Sequence, residues 1–259
     1  MNVLITGHTG FIGSCLWKTI ENKNYITKIF GISTNKWFET LDSIDDRKFD
    51  SVYHLAASMS EDLFVNPQLT MDILDIYKEW KGKSFVHTSS ISIDLKVPSF
   101  YSLSKKISED LCSFYVNKYN INACSIRIPS VYGPEMKSKT IIDKFIRASL
   151  KDEDIVLYGR GERKQWFGYV KDVATILELA GKQSLRGVFL YPCHHITMKK
   201  LAEIIIEILS SKSKIKYVDK NDIIYNKSNC ELLPFKEQYG LEGGIKDYAR
   251  WIEGENNKC

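Results

Sequence analysis

A tyrosine and a lysine four residues apart, Tyr101 and Lys105, follow shortly after a serine pair, Ser89 and Ser90. Four residues is one helical turn, so the phenol and the ammonium share a helix face. A nearby cation favours phenolate and pulls a tyrosine below its ordinary pKa of about 10; a fall of three units corresponds to roughly 4 kcal/mol of differential interaction. A tyrosine so placed can exchange protons near neutral pH. Serines at a strand end are common in turns and alone mean little, but ahead of this pair they gain weight.

The elements that must position these groups are legible around them. Ser84–Thr88 reads as a strand running into the serines. Tyr101–Tyr119 reads as a helix, with Leu103, Ile107, Leu111, Phe114 and Tyr115 predicted to form its apolar face. A second helix is predicted over Leu69–Trp80, and a strand over Ser51–Leu55 that ends in the small residues Ala56 and Ala57. The chain opens on an apolar run, Val3–Ile5, followed by Gly7, Gly10 and Gly13 and a helix-compatible segment, Phe11–Ile20. Glycines let a strand-to-helix turn approach a pyrophosphate, and the helix N-terminus faces its charge. A dinucleotide is the ligand this order suggests. After the next strand, Ile26–Ile32, an NAD site would place a carboxylate; Ser33, Thr34, Asn35 and Lys36 stand there, with no acid until Glu39. Hydroxyls, an amide and a cation suit a 2′-phosphate, so the turn leans to NADP.

Composition narrows the setting. The 259 residues suffice for a full core with a smaller lobe, and the formal net charge of +4 forms no basic stripe, so nucleic acid is not indicated. No apolar run approaches the roughly 20 residues of a membrane span. The first strand begins at Asn2 without a basic leader, and the six cysteines are scattered. Together these point to a reduced, cytoplasmic protein. Cys193, His194 and His195 are adjacent and so point in different directions; no metal site is expected there, and His54 and His87 read as core residues.

With these motifs in order, the chain resembles the extended short-chain dehydrogenase/reductase family of nucleotide-sugar epimerases, dehydratases and ketoreductases. TGHTGFIG is similar to its TGxxGxxG, YHLAA to its HLAA segment, and Asn66 with Thr70 to NxxGT, Leu69 replacing the glycine. FVHTSS resembles the strand ending in the catalytic hydroxyl, YSLSK the YxxxK pair, and RIPSVYGP the RxxxVYGP segment. LYGRGERKQWFGYVKDVA resembles GxGxxxxDFxYVxDVA. The resemblance implies a Rossmann-type doubly wound parallel sheet with a small C-terminal substrate-capping lobe. The domains would be 1–133, rejoined around 165–190, and 134–259. It implies Gly7, Gly10, Phe11, Ile12 and Gly13 around the pyrophosphate, Leu55, Ala56 and Ala57 along the cofactor, and Pro129 and Val131 near the carboxamide. Ser33 and Lys36 are the candidates at the adenosine ribose. Tyr101 would be the general acid/base, Lys105 would lower its pKa and hold the nicotinamide ribose, and Ser90, with Ser89 as the alternative, would hydrogen-bond the reacting oxygen. Ser90, Ser130, Arg163 and Gln165 are the substrate candidates.

The departures from the family pattern fall around the substrate. Eight residues separate Ala57 from Asn66 and ten separate Ser90 from Tyr101, both short for the extended members. Ile91 and Ser92 replace the Asp-Glu pair of the 4,6-dehydratases, which disfavours elimination. Gln165 and Trp166 stand where a diphosphate-binding arginine is usual, and Arg160 or Arg163 could substitute. The expectation is an NADPH-dependent reductase of a keto group on a nucleotide-activated sugar. The alternatives are an NAD-dependent epimerase and a non-catalytic cofactor-binding regulator or scaffold. A homodimer through the two long helices is implied by the resemblance.

Overall fold

The computed structural model describes residues 1–26, 28–33, 37, 48–193, 195–219 and 228–256. Lys36, the turn around it and His194 lie outside them. The chain divides into two compact units: unit 1 is Met1–Ile128, Val173–Pro192 and Lys227–Lys236, and unit 2 is Pro129–Asp172, Cys193–Asn226 and Glu237–Cys259.

Unit 1 is a parallel sheet flanked by helices. Its strands are β1 (Asn2–Thr6), β2 (Lys28–Ile32), β3 (Ser51–His54), β4 (Ser84–Ser90), β5 (Ala123–Ile128), β9 (Gly187–Leu190) and β12 (Glu231–Leu232). They lie in the order β12-β9-β5-β4-β3-β1-β2. Every pairing is parallel. Such strands are covered on both faces and need continuous apolar runs; Val3, Leu4, Ile5, Val52, Phe85, Val86 and Ile126 are all inaccessible to solvent. The last strand, 231–232, comes from a stretch the sequence placed in the C-terminal lobe. Strand order reverses at β1, whose neighbours are β2 and β3, and a sheet of this kind binds ligands at the carboxyl ends beside that reversal.

The helices of unit 1 are α1 (Phe11–Ile20), α2 (Val65–Trp80), α3 (Phe100–Tyr119) and Val173–Gly181 of α5 (Val170–Gly181). A capping box starts α3: Ser99 Oγ accepts from Ser102 N (3.1 Å) and Ser102 Oγ accepts from Ser99 N (2.7 Å). Asn120, left-handed at φ 55°, ends it. The predicted orientation of α3 is corrected by the structure. Its buried face carries Ser102, Ser104, Lys105, Ser108, Glu109, Cys112 and Tyr115, whereas Leu103 and Phe114 of the expected apolar face are 42% and 51% exposed. Polar side chains can face the sheet because they bond one another there, as described below.

Unit 2 contains β6 (Ser130–Tyr132), β8 (Lys164–Tyr169) and β10 (His195–Thr197) in one small sheet, and β7 (Ile155–Tyr158) paired in parallel with β11 (Ile215–Val218). Helices α4 (Ile141–Leu150), α6 (Met198–Ile208) and α7 (Gly240–Asn256) pack on one another. The Asp172 carboxylate, fully buried, accepts from the backbone N–H groups of Gln238, Tyr239 and Gly240 at 2.8–2.9 Å and so fixes the start of α7.

Candidate active site

The glycine turn is built by backbone proximity. Gly7 has φ +72°, and a Cβ on it would lie 2.7 Å from Ala56 N. A Cβ on Gly13 would lie 2.2 Å from Gly7 O. Only glycine allows this turn to close on the HLAA segment and on the start of α1. Gly7 N donates to Ile32 O (2.6 Å), Leu55 N to Thr6 O (3.1 Å) and Ala56 N to Thr6 Oγ1 (3.2 Å), tying the turn to β2 and β3. The N-terminus of α1 has neither a side-chain cap nor an acidic residue in its first turn. Its positive end is therefore available to an anion. This cradle suits a dinucleotide pyrophosphate, with Phe11, Ile12 and Gly13 at the helix start and Leu55 and Ala57 half-buried beside Ala56. Ser33 lies at the exit of β2, half-buried.

The two serines have different surroundings. Ser89 Oγ donates to Glu109 Oε1 at 2.6 Å, deep in the unit, so it has no hydroxyl to offer a ligand. Ser90 faces the other way: its Oγ is 2.8 Å from Ser92 Oγ and accepts from Ser92 N (3.1 Å). The Ser90 side chain also lies near enough to the Tyr101 phenol to favour its ionised form. Ser90 and Tyr101 are therefore brought together, and Lys105 lies one turn further along α3.

The electrostatics differ from the sequence expectation. Burial raises the Tyr101 phenol above its ordinary pKa, and the nearby Ser90 side chain opposes that rise. Lys105 is not among the groups that act on it; its Nζ donates to Thr88 O at 2.8 Å. The Lys105 ammonium, 2% exposed, is itself brought down from 10.5 to about 8, chiefly by burial, with the Cys112 thiol and the Glu109 carboxylate pulling the other way.

Two buried networks hold these groups, and sequence reasoning had assigned neither. In the first, Arg127 on β5 donates to Glu109 through Nε and Nη2 (both 2.8 Å) and to Asp94 Oδ1 through Nη1 (2.9 Å). Asp94 ends the 3-10 turn Ile91–Asp94 that follows Ser90. Arg127 thus joins the Ser90 turn to the helix carrying Tyr101 and Lys105. In the second, His54 Nδ1 meets Thr6 Oγ1 (2.8 Å) and His54 Nε2 meets Thr70 Oγ1 (3.1 Å), which donates to Asn66 O and contacts Ser108 Oγ. Asn66 also donates to Ser104 Oγ (2.8 Å). Burial holds His54 and His87 neutral, with the Lys105 charge adding to the effect; His87 bonds Ser125 through Nδ1. The spacing Tyr101, Lys105, Glu109 at every fourth residue was the signal available for the first network.

In unit 2, Pro129 is buried, and Ser130 and Val131 are half-buried on β6. Arg163 Nη2 donates to Gln165 Oε1 at 2.8 Å, so these two candidates meet. Arg163 also lines a cavity of about 410 Å³ with Lys144, Phe145, Val156, Tyr158 and Met198. Its walls are apolar and aromatic and carry two cations together with the Asp154 carboxylate, which is paired with Lys216; the aromatic side chains suit a flat ring and the cations a phosphate. Trp166 stacks on His195 at 3.7 Å and 6°.

An open parallel sheet with a glycine cradle at its reversal point defines a dinucleotide-binding protein. The sequence matches the model of the NAD dependent epimerase/dehydratase family over residues 3–188, and the chain belongs to that family. It is 25% identical to UDP-N-acetyl-alpha-D-glucosaminuronate decarboxylase of Bacillus cytotoxicus over 98% of both chains. Among solved structures it is similar to the UDP-N-acetylglucosamine 4-epimerase of Methanobrevibacter ruminantium in complex with UDP-N-acetylmuramic acid. That likeness has a TM-score of 0.81 and 22% identity over 98% of each chain. It is also similar to the UDP-glucuronic acid 4-epimerase of Bacillus cereus in complex with UDP-glucuronic acid and NAD, at TM-score 0.77 and 19% identity over 98% of this chain and all of that one. No described helix is long and apolar enough to cross a membrane.

Proposed function

We propose that the chain is an NADPH-dependent reductase of a keto group on a nucleotide-activated sugar. The observation that carries this reading is the meeting of Ser90 and Tyr101, with Lys105 one turn away on α3, in the same unit as the glycine cradle. The dinucleotide, when bound, supplies the hydride chemistry. Gly7, Gly10 and Gly13 give its pyrophosphate close backbone approach. Ser90 Oγ orients the substrate oxygen, and the Tyr101 hydroxyl delivers the proton that oxygen needs as it becomes an alcohol. Lys105, brought closer to neutrality than an exposed lysine, can hydrogen-bond a ribose hydroxyl and restore the Tyr101 proton. The raised Tyr101 pKa suits a group that starts protonated and acts as acid.

Two observations support the finer points. Ser33, rather than a carboxylate, stands at the exit of β2, which favours a 2′-phosphate over a bare 2′-hydroxyl. The cavity lined by Tyr158, Lys144 and Arg163 supports a nucleotide on the substrate. Purified protein should oxidise NADPH in the presence of a 4-keto sugar nucleotide, and Tyr101→Phe should lower turnover by roughly 10²–10⁴-fold. Unchanged turnover in that variant would sink the mechanism. A second reading, an epimerase, is favoured by the 4-epimerases among the structural likenesses. NAD that stays bound through purification, with no net redox change in the substrate, would select it.

A further inference from the structure

His8 is the one large side chain within the glycine turn Gly7–Gly10, and its surroundings are unusual. Its ring occupies the space that a side chain at Gly31 of β2 would take: a Cβ there would lie 2.4 Å from His8 Cγ and Nδ1. The ring is also in tilted contact with the Trp17 indole of α1, with ring centroids 5.5 Å apart. Trp17 is held in place by donating from Nε1 to Glu21 Oε2 at 2.9 Å. The imidazole is therefore fixed between the start of α1 and the end of β2, and Gly7 N→Ile32 O binds the two segments together at the same level. Ser33 follows Gly31 by two residues.

The ring's nitrogens are not equivalent. Nδ1 is buried and has no hydrogen-bond partner, which leaves Nε2 as the nitrogen able to serve a ligand. A neutral imidazole then keeps its proton on Nε2, since an unmet acceptor is less costly than an unmet donor. The ring stands beside the exit of β2, where a Rossmann-type fold reads the adenosine ribose. A packed ring with an outward donor and no carboxylate beside it at Ser33 suits an anion.

The geometry points to His8 as a specificity-determining residue that donates from Nε2 to the 2′-phosphate of the adenosine ribose. This inference rests on the NADP preference proposed above and names the group that supplies it. Gly31 has a role in it, because its missing side chain makes room for the imidazole.

The test is the affinity of the purified protein for NADP and for NAD, measured separately by calorimetry, with 2′,5′-ADP and 5′-ADP as fragments carrying and lacking the 2′-phosphate. His8→Ala should weaken NADP and 2′,5′-ADP tenfold or more and leave NAD and 5′-ADP within twofold. Gly31→Ala, which displaces the ring without removing it, should give the same selective loss, and His8→Lys should restore most of the NADP affinity. Equal losses for NADP and NAD in His8→Ala would show a packing role and overturn the inference. A wild-type preference for NADP that survives His8→Ala would overturn it while leaving the cofactor reading intact. A wild-type preference for NAD would instead overturn the NADP reading, and this inference with it.

Discussion

Lys105 should weaken the fold it serves. The ammonium is buried, and its pKa is brought from 10.5 to about 8 mainly by desolvation. Between those values the unfolded chain binds a proton that the folded chain does not, so stability rises with pH across the window. Below pH 8 the full penalty is present. A shift of about 2.5 units at 1.36 kcal/mol each is roughly 3 kcal/mol, and at 2% exposure little solvent screening reduces it. Lys105→Met keeps the length of the side chain, removes the charge, and loses the bond to Thr88 O, which offsets the gain by about 1 kcal/mol at any pH. Urea unfolding of wild type and variant at pH 7 and pH 10 isolates the term, because every other titrating group is common to both. The variant should be more stable at pH 7 by about 2 kcal/mol, and the wild type should gain roughly 2–3 kcal/mol relative to it by pH 10. A gap that does not change with pH, or a wild type that loses ground as pH rises, would refute the reasoning; the latter is what a lysine stabilised as a cation by Glu109 would give.

The Arg127 network makes the opposite forecast. Arg127→Met leaves Glu109 and Asp94 without their cation in a buried setting and should cost about 3–5 kcal/mol in the same urea assay; less than 1 kcal/mol would mean that water or a rearranged Ser89 replaces the guanidinium. The half-exposed apolar side of α3, with Leu103 and Phe114, should be covered by a second copy of the chain. Light scattering should give a dimer at micromolar concentration and a monomer for Phe114→Glu, whereas a wild-type monomer would count against it.

How far the sequence could be read depended on what kind of signal each residue carried. The order β1, glycine turn, α1 was plain because apolar runs and glycines are local signals, and the doubly wound parallel sheet was implied by the family resemblance of the motifs taken together. The face of α3 was misread because Leu103, Ile107 and Phe114 repeat at helical spacing, and periodicity alone cannot say that Ser104, Ser108 and Glu109 have partners waiting on β4, β5 and α2. That the Ser89 hydroxyl is engaged could be seen only from the location of Glu109, twenty residues away in sequence. The resemblance of YHLAA and of Asn66 with Thr70 to family motifs turns out to include residues that hold one another: His54, Thr70 and Asn66 share one network. Asp172, in the segment similar to YVxDVA, fixes the start of α7. Asp94 carried no sequence signal, since its value lies in being opposite Arg127.

The Arg127 bridge also bears on how the site fails. Ser90 lies where a strand gives way to a short turn, and Tyr101 lies in the first turn of a helix, two places where chains ordinarily fray first. Because Asp94 and Glu109 are bound to one guanidinium on a central strand, neither place can open without exposing buried charge. Local melting is thereby coupled to loss of the sheet itself, and the site is retained or lost as one cooperative piece with no silent, half-folded form in between.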